Sequence, residues 1–176
     1  VSSAASDVYK RQTINCRGKL VDLSVPKIMG ILNLTPDSFY DGGKHNTLKN
    51  SIKKTHSMIK SGASFIDIGG QSTRPGGNKI SIKEEEKRLF PIVESLLKEF
   101  PNTIFSIDTF HHSIAFRCLE MGVSIVNDIS GGYYDPKIIK IAGEKKAPYI
   151  LTYNEINPLI TDNDVNFKNI VQKGLF

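Results

Sequence analysis

A chain of 176 residues with 39% hydrophobic and 23% charged side chains has enough apolar matter for one packed core, and its composition excludes a fibrous, disordered or disulfide-built protein. The net charge of +5 is scattered over lysines such as Lys49, Lys53, Lys60, Lys140 and Lys146 without interleaved aromatics, which reads as solvated helix faces rather than a nucleic-acid stripe, although a mild positive field suits a small anionic substrate. No apolar run approaches the roughly 18 residues of a membrane span, and two distant cysteines, Cys16 and Cys118, imply free thiols in a reducing cytoplasm rather than a disulfide framework or metal cluster.

Residues 1–12 show no helical or strand period and no signal-peptide pattern, and are read as a disordered or non-native extension. Residues 13–176 are read as one domain. Thr13 to Leu23 forms two short strands turning near Arg17-Gly18, a hairpin suited to covering the floor of a barrel. The first core strand spans about Lys27 to Leu32. A helix follows over about Thr47 to Lys60, with Leu48, Ile52, Thr55 and Ile59 at helical spacing and Gly62 beyond its end. Strand two is about Ser64 to Ile68. The next helix opens at Ser81, which forms a capping box with Glu84, and buries Leu89, Ile92, Val93, Leu96 and Leu97. Pro91 inside that pattern predicts a kink or a later helix start. Strand three is Thr103 to Ile107, a short helix runs from His112 to Met121, and strand four is Val123 to Asn127. A helix over Pro136 to Lys145, a strand over Tyr149 to Thr152 and one amphipathic stretch near Asn166 to Lys173 complete the reading.

Strand and helix in strict alternation imply parallel strands with right-handed crossovers, which leaves a doubly wound sheet or part of a (β/α)8 barrel. In either fold the chemistry collects in the loops at the carboxyl ends of the strands. Two such loops stand out: Asn33-Leu34-Thr35-Pro36-Asp37-Ser38-Phe39-Tyr40-Asp41-Gly42-Gly43 and Gly69-Gly70-Gln71-Ser72-Thr73-Arg74-Pro75-Gly76-Gly77. The second offers a guanidinium, hydroxyls and glycine amides suited to a phosphate or carboxylate. The other strand ends carry Asp67, Asp108-Thr109 and Asn127-Asp128. A carboxylate accepts two N–H bonds and an Asn both donates and accepts, so this set suits a heterocycle with amide-like edges. For single residues, above all Thr109 and Asp128, helix or turn capping is the competing role. The histidines, His45, His56, His111 and His112, lack zinc-ligand spacing and read as surface or helix-start residues.

Met29 to Phe39 with Asp41-Gly42-Gly43, and Asp67 to Gly76, closely resemble the two signature segments of the dihydropteroate synthases, and Ser106 to Thr109 and Val126 to Gly132 resemble that family's next two strand ends. The resemblance covers about Ile14 to Leu151. It implies an α/β fold, an incomplete (β/α)8 TIM barrel of about five βα units after an N-terminal hairpin, since a whole barrel usually runs to roughly 250 residues. It further implies condensation of 7,8-dihydropterin-6-ylmethyl diphosphate with 4-aminobenzoate in folate biosynthesis, releasing diphosphate. Carried over by position, Asn33 would hold Mg2+ and Thr73 would contact the pterin diphosphate. Asp108 and Asn127 would read the pterin edge, Asp37 would support a cationic intermediate, and Arg74 would be an Arg-type donor stabilising the leaving diphosphate. Phe39 and Pro75 would line the aminobenzoate and sulfonamide pocket. The full-length family forms homodimers.

This sequence departs from the family at Ile150-Leu151-Thr152-Tyr153-Asn154, where a Met-His pair is usual, and the motif likeness fades over Glu155 to Asp164. Strands six to eight, which supply further pterin and diphosphate ligands, are not found, so the chain alone is expected to be inactive. Two other readings share the pterin-facing Asp and Asn: a methyltetrahydrofolate-binding methyltransferase domain, which lacks both signature loops, and a non-catalytic pterin-binding fragment.

Overall fold

The computed structural model describes residues 13–34, 44–71 and 80–152. The chain begins with an antiparallel hairpin of β1 (Thr13–Cys16) and β2 (Lys19–Asp22). Arg17 and Gly18 connect them with φ of 53° and 87°. Two successive left-handed residues give the tight turn whose twist matches that of the flanking strands. The Arg17 side chain also donates to the Leu119 carbonyl at 2.9 Å, tying the turn to the main body.

Five strands then form one parallel sheet: β3 (Ile28–Asn33), β4 (Ala63–Gly69), β5 (Ile104–Asp108), β6 (Ile125–Asp128) and β7 (Tyr149–Leu151). They lie in the order β3-β4-β5-β6-β7, each paired with its neighbour in sequence. That order decides between the two candidate folds, because a doubly wound sheet reverses direction at a switch point and this one never does. With right-handed crossovers, sequential order puts all the intervening helices on one face. These helices are α1 (Lys44–Lys60), α2 (Ile82–Glu99), α3 (His112–Met121) and α4 (Lys137–Glu144), and each packs on the next. The sheet does not close among the described residues. The arrangement is that of an incomplete (β/α)8 barrel.

Side chains alternate along each strand, so the sheet has two distinct faces. Leu32, Ile66, Ile68, Phe105, Ile107 and Val126 point outward and form the main core with Leu89, Val93 and Leu96 of α2 and Ile114, Ala115 and Cys118 of α3. Gly30 lies on this face, where a β-carbon would stand 2.7 Å from Met58 Sδ; its absence lets α1 approach. On the inner face Phe65, Ile104 and Ile125 pack against Cys16, with Ile14, Val21, Leu23 and Met29 around them. The hairpin therefore plugs the amino-terminal end of the half-barrel, as expected of a floor cover.

Helix α2 begins at the expected cap, with the Glu84 N–H donating to Ser81 Oγ at 3.2 Å. It runs unbroken through Pro91 to Glu99. Pro91 is exposed, so the hydrogen bond its ring forfeits falls on the solvent side, where water satisfies the freed carbonyl. Helix α1 starts three residues earlier than its periodicity indicates, and β6 starts two residues later. The stretches at 1–12 and 166–173 lie outside the described residues.

Candidate functional site

The parallel register brings the strand ends into rows. Asn33 pairs with Gly69, Gly69 with Asp108, and Asp108 with Asn127. Three of the residues expected to bind ligand thus share one layer at the carboxyl ends of β3, β5 and β6. One layer down, Ile31 pairs with Asp67 and Asp67 with Ser106. Inner-face residues i and i+2 point the same way, so Asp67 and Ser106 lie directly beneath that row.

Gly69 shapes the row. A β-carbon there would stand 3.1 Å from Asn33 Oδ1 and 3.2 Å from Asp108 Oδ2, so its absence keeps a notch between the two. The next glycine serves the opposite face: a β-carbon on Gly70 would meet Leu89 Cγ at 2.8 Å and Glu85 Cγ at 3.0 Å. The Gly-Gly pair therefore opens the pocket on one side and seats α2 on the other.

The electrostatics are those of a crowded acidic pocket. Burial, reinforced by the charges of Asp67, Glu85 and Asp128, pushes the Asp108 carboxyl up to about 7. Neither of its oxygens takes a hydrogen bond among the described residues. Asp67 is 4% exposed and burial raises its pKa too. Its Oδ2 accepts the Asn127 Nδ2–H at 2.9 Å. The Ser106 hydroxyl beside Asp67 and the Asn127 amide offset part of that rise, yet neither Asp67 Oδ1 nor Ser106 Oγ meets a partner in good hydrogen-bond geometry among the described residues. Such an array favours a ligand rich in N–H donors, which would stabilise the ionised form of Asp108.

Asp128 has the other role weighed for it. It is fully buried, with Oδ1 accepting from Ser130 N–H at 2.8 Å and Oδ2 from Gly132 N–H at 2.8 Å and Tyr149 O–H at 2.7 Å. It folds the loop after β6 and fastens that loop to β7. Thr109 likewise accepts the His111 N–H at 3.2 Å, as a turn residue does. His111 is not the surface residue its position suggested: it is half-buried, with Nε2 3.8 Å from the carboxylate of Glu85. Glu85 itself is 1% exposed and went unnoticed in sequence, where it is one of three consecutive glutamates opening a helix.

Asp37, Phe39, Thr73, Arg74 and Pro75 lie outside the described residues. A magnesium ion fits what is described. Such an ion keeps most of its waters and binds through one or two protein oxygens plus substrate phosphates, and Asn33 Oδ1 beside the Gly69 notch offers one. No cluster of three His, Cys, Asp or Glu residues able to hold a metal occurs among the described residues.

A parallel half-barrel with a carboxylate and amide row above its strands is the architecture of a small-molecule enzyme, and the chain belongs to the pterin binding enzyme family, whose sequence profile matches residues 29–174. That match continues past Leu151, through the stretch where the motif likeness fades. The chain is 44% identical over 144 residues to the dihydropteroate synthase of Synechocystis sp., covering 82% of this chain and 50% of that one. Among solved structures it resembles the Xanthomonas albilineans dihydropteroate synthase with 4-aminobenzoic acid, with a TM-score of 0.83 and 28% identity over 94% of this chain and 60% of that one. It also resembles the Yersinia pestis enzyme in a sulfonamide drug complex, with a TM-score of 0.72 and 34% identity over 93% and 62% of the two chains. The chain spans about half the length of the curated relatives it matches.

Proposed function

We propose that this chain carries the pterin-reading side of a dihydropteroate synthase, the enzyme that joins 7,8-dihydropterin-6-ylmethyl diphosphate to 4-aminobenzoate. The observation that carries the reading is the row of Asn33, Asp108 and Asn127 held in register around the Gly69 notch, in a chain of the pterin binding enzyme family. Asp108 accepts N–H groups of the pterin, and Asn127 meets a second part of the same edge. Asn33 would hold Mg2+, which would offset the negative charge of the leaving diphosphate.

The reaction breaks the C–O bond between the pterin methylene and diphosphate, leaving positive charge spread over the ring. The amine of 4-aminobenzoate supplies the electron pair for the new C–N bond and then loses a proton. Asp37 stabilises the cationic ring, and Thr73 and Arg74 hold the diphosphate oxygens. Phe39 and Pro75 flank the aminobenzoate, the ring a sulfonamide would mimic. The thiols Cys16 and Cys118 are buried, as suits a reducing cytoplasm, and among the described residues no helix is long and apolar enough to cross a membrane.

Titration of the chain with pterin, followed by the fluorescence of pterin itself, tests the reading. Saturable binding is expected, with Asp108→Ala weakening it by about tenfold or more, the cost of a hydrogen bond to a charged group. Absence of binding, or equal binding by Asp108→Ala, would overturn the proposal.

A further inference from the structure

Asp67 lies inside an apolar strand, one layer below the row that faces the ligand, and it spans from β4 past β5 to bond with a residue of β6. That bond, Asn127 Nδ2–H to Asp67 Oδ2 at 2.9 Å, is the only one the Asn127 side chain makes among the described residues. A carboxylate accepts hydrogen bonds and donates none. It therefore fixes which way the amide of Asn127 faces, with nitrogen turned down to Asp67 and the carbonyl oxygen left for the pocket. Without it the two ends of the amide, nearly equal in shape, exchange by a half-turn and present a donor as readily as an acceptor. Burial of Asp67 at 4% exposure strengthens the constraint, because a hydrogen bond is stronger, and an unpaired carboxylate oxygen costlier, away from solvent.

We propose that Asp67 is a positioning residue for ligand recognition, holding the Asn127 amide so that its oxygen accepts from the bound heterocycle. This rests on the pterin-binding reading. It makes the upper row a uniform array of acceptors, Asp108 and Asn127 side by side, matched to adjacent N–H donors on one ligand edge. A heterocycle presenting a lone pair at that place would leave a buried acceptor facing an acceptor, a mismatch that discriminates strongly.

The test compares the chain with Asp67→Asn, with Asn127→Asp, and with the swapped pair Asp67→Asn plus Asn127→Asp. Each is titrated with pterin and melted by circular dichroism. Asp67→Asn should weaken binding about tenfold or more by freeing the amide. Asn127→Asp should weaken it by setting two carboxylates against each other. The swap restores an amide N–H bonded to a carboxylate and leaves an acceptor oxygen toward the ligand, so it should bind more tightly than either single variant. A purely structural role for Asp67 predicts instead that binding losses follow the melting temperatures and add in the swap. If the unaltered chain fails to bind pterin, the underlying reading falls. If it binds and Asp67→Asn binds equally well, or if the folded swap is no tighter than the weaker single variant, the positioning role falls and the pterin reading stands. Should Asp67→Asn not fold, the swap decides alone: affinity within about tenfold of the unaltered chain supports the role, and folded protein without binding overturns it.

Discussion

Glu85 shows how one buried group makes stability depend on pH. Burial pushes its carboxyl from 4.5 up to about 7, against the pull of Thr109 and Arg88 and with a further push from Glu86. Among the described residues its Oε2 has no hydrogen-bond partner, and His111 Nε2 of another element lies 3.8 Å away. The folded state therefore holds the Glu85 proton more tightly than the unfolded chain does. By linkage its contribution to stability is fully present below about 4.5 and is lost as pH rises through about 7. Glu85→Gln, which keeps the shape without the titration, should flatten that share of the decline and melt at or above the unaltered chain at pH 8. Thermal melts from pH 4 to 8 measure this, and parallel curves for the two proteins would show that Glu85 is not charged against its surroundings. Asp67 was legible in sequence as one of the polar strand-end residues, but its bond to Asn127 and the burial of Glu85 were not. Glu85 sits among surface-like charges, and the Asp67–Asn127 bond joins residues 60 positions apart.

The elements were far more legible, because each carries its own signal: periodicity for the helices, the Ser81 cap, the Gly122 stop with φ of 128°, and apolar runs for the strands. What sequence left open was the arrangement, sheet or barrel, since alternation fits both and only the pairing order separates them. Pro91 misleads for a similar reason: its effect depends on which side of α2 faces water. The hairpin is where element and architecture meet, for the apolar side chains of β1 and β2 pack on the inner face of later strands. Phe65, 5% exposed, is the centre of that contact with Cys16, Ile104 and Ile125. Phe65→Ala should cost about 3 kcal/mol through lost burial and the cavity left behind. Urea denaturation measures it. A cost below about 1 kcal/mol would mean that the hairpin rides loosely on the sheet rather than plugging it.

At the scale of the whole molecule, the described sheet has a polar site on an inner face that no opposite wall completes. Ile31, on that face, is 66% exposed, Leu151 is 50% exposed, and β3 and β7 each have one paired neighbour among the described residues. Apolar side chains of this size are worth about 1.5–3 kcal/mol each when fully buried, so further strands would add stability as well as ligands. Two measurable consequences follow from the proposed pterin-reading role. Alone, the 176-residue chain should bind pterin yet release no diphosphate in a 4-aminobenzoate-dependent manner. Joined after Thr152 to the carboxyl-terminal part of the Synechocystis relative, it should gain that activity and a higher melting temperature, because the added strands both cover Ile31 and face Asn33 and Asp108 across the pocket. Diphosphate release by the chain alone would show that the described strands and their loops already hold a working site. A folded chimera that binds pterin without turnover would place the fault outside the row of Asn33, Asp108 and Asn127, which would then be competent to bind.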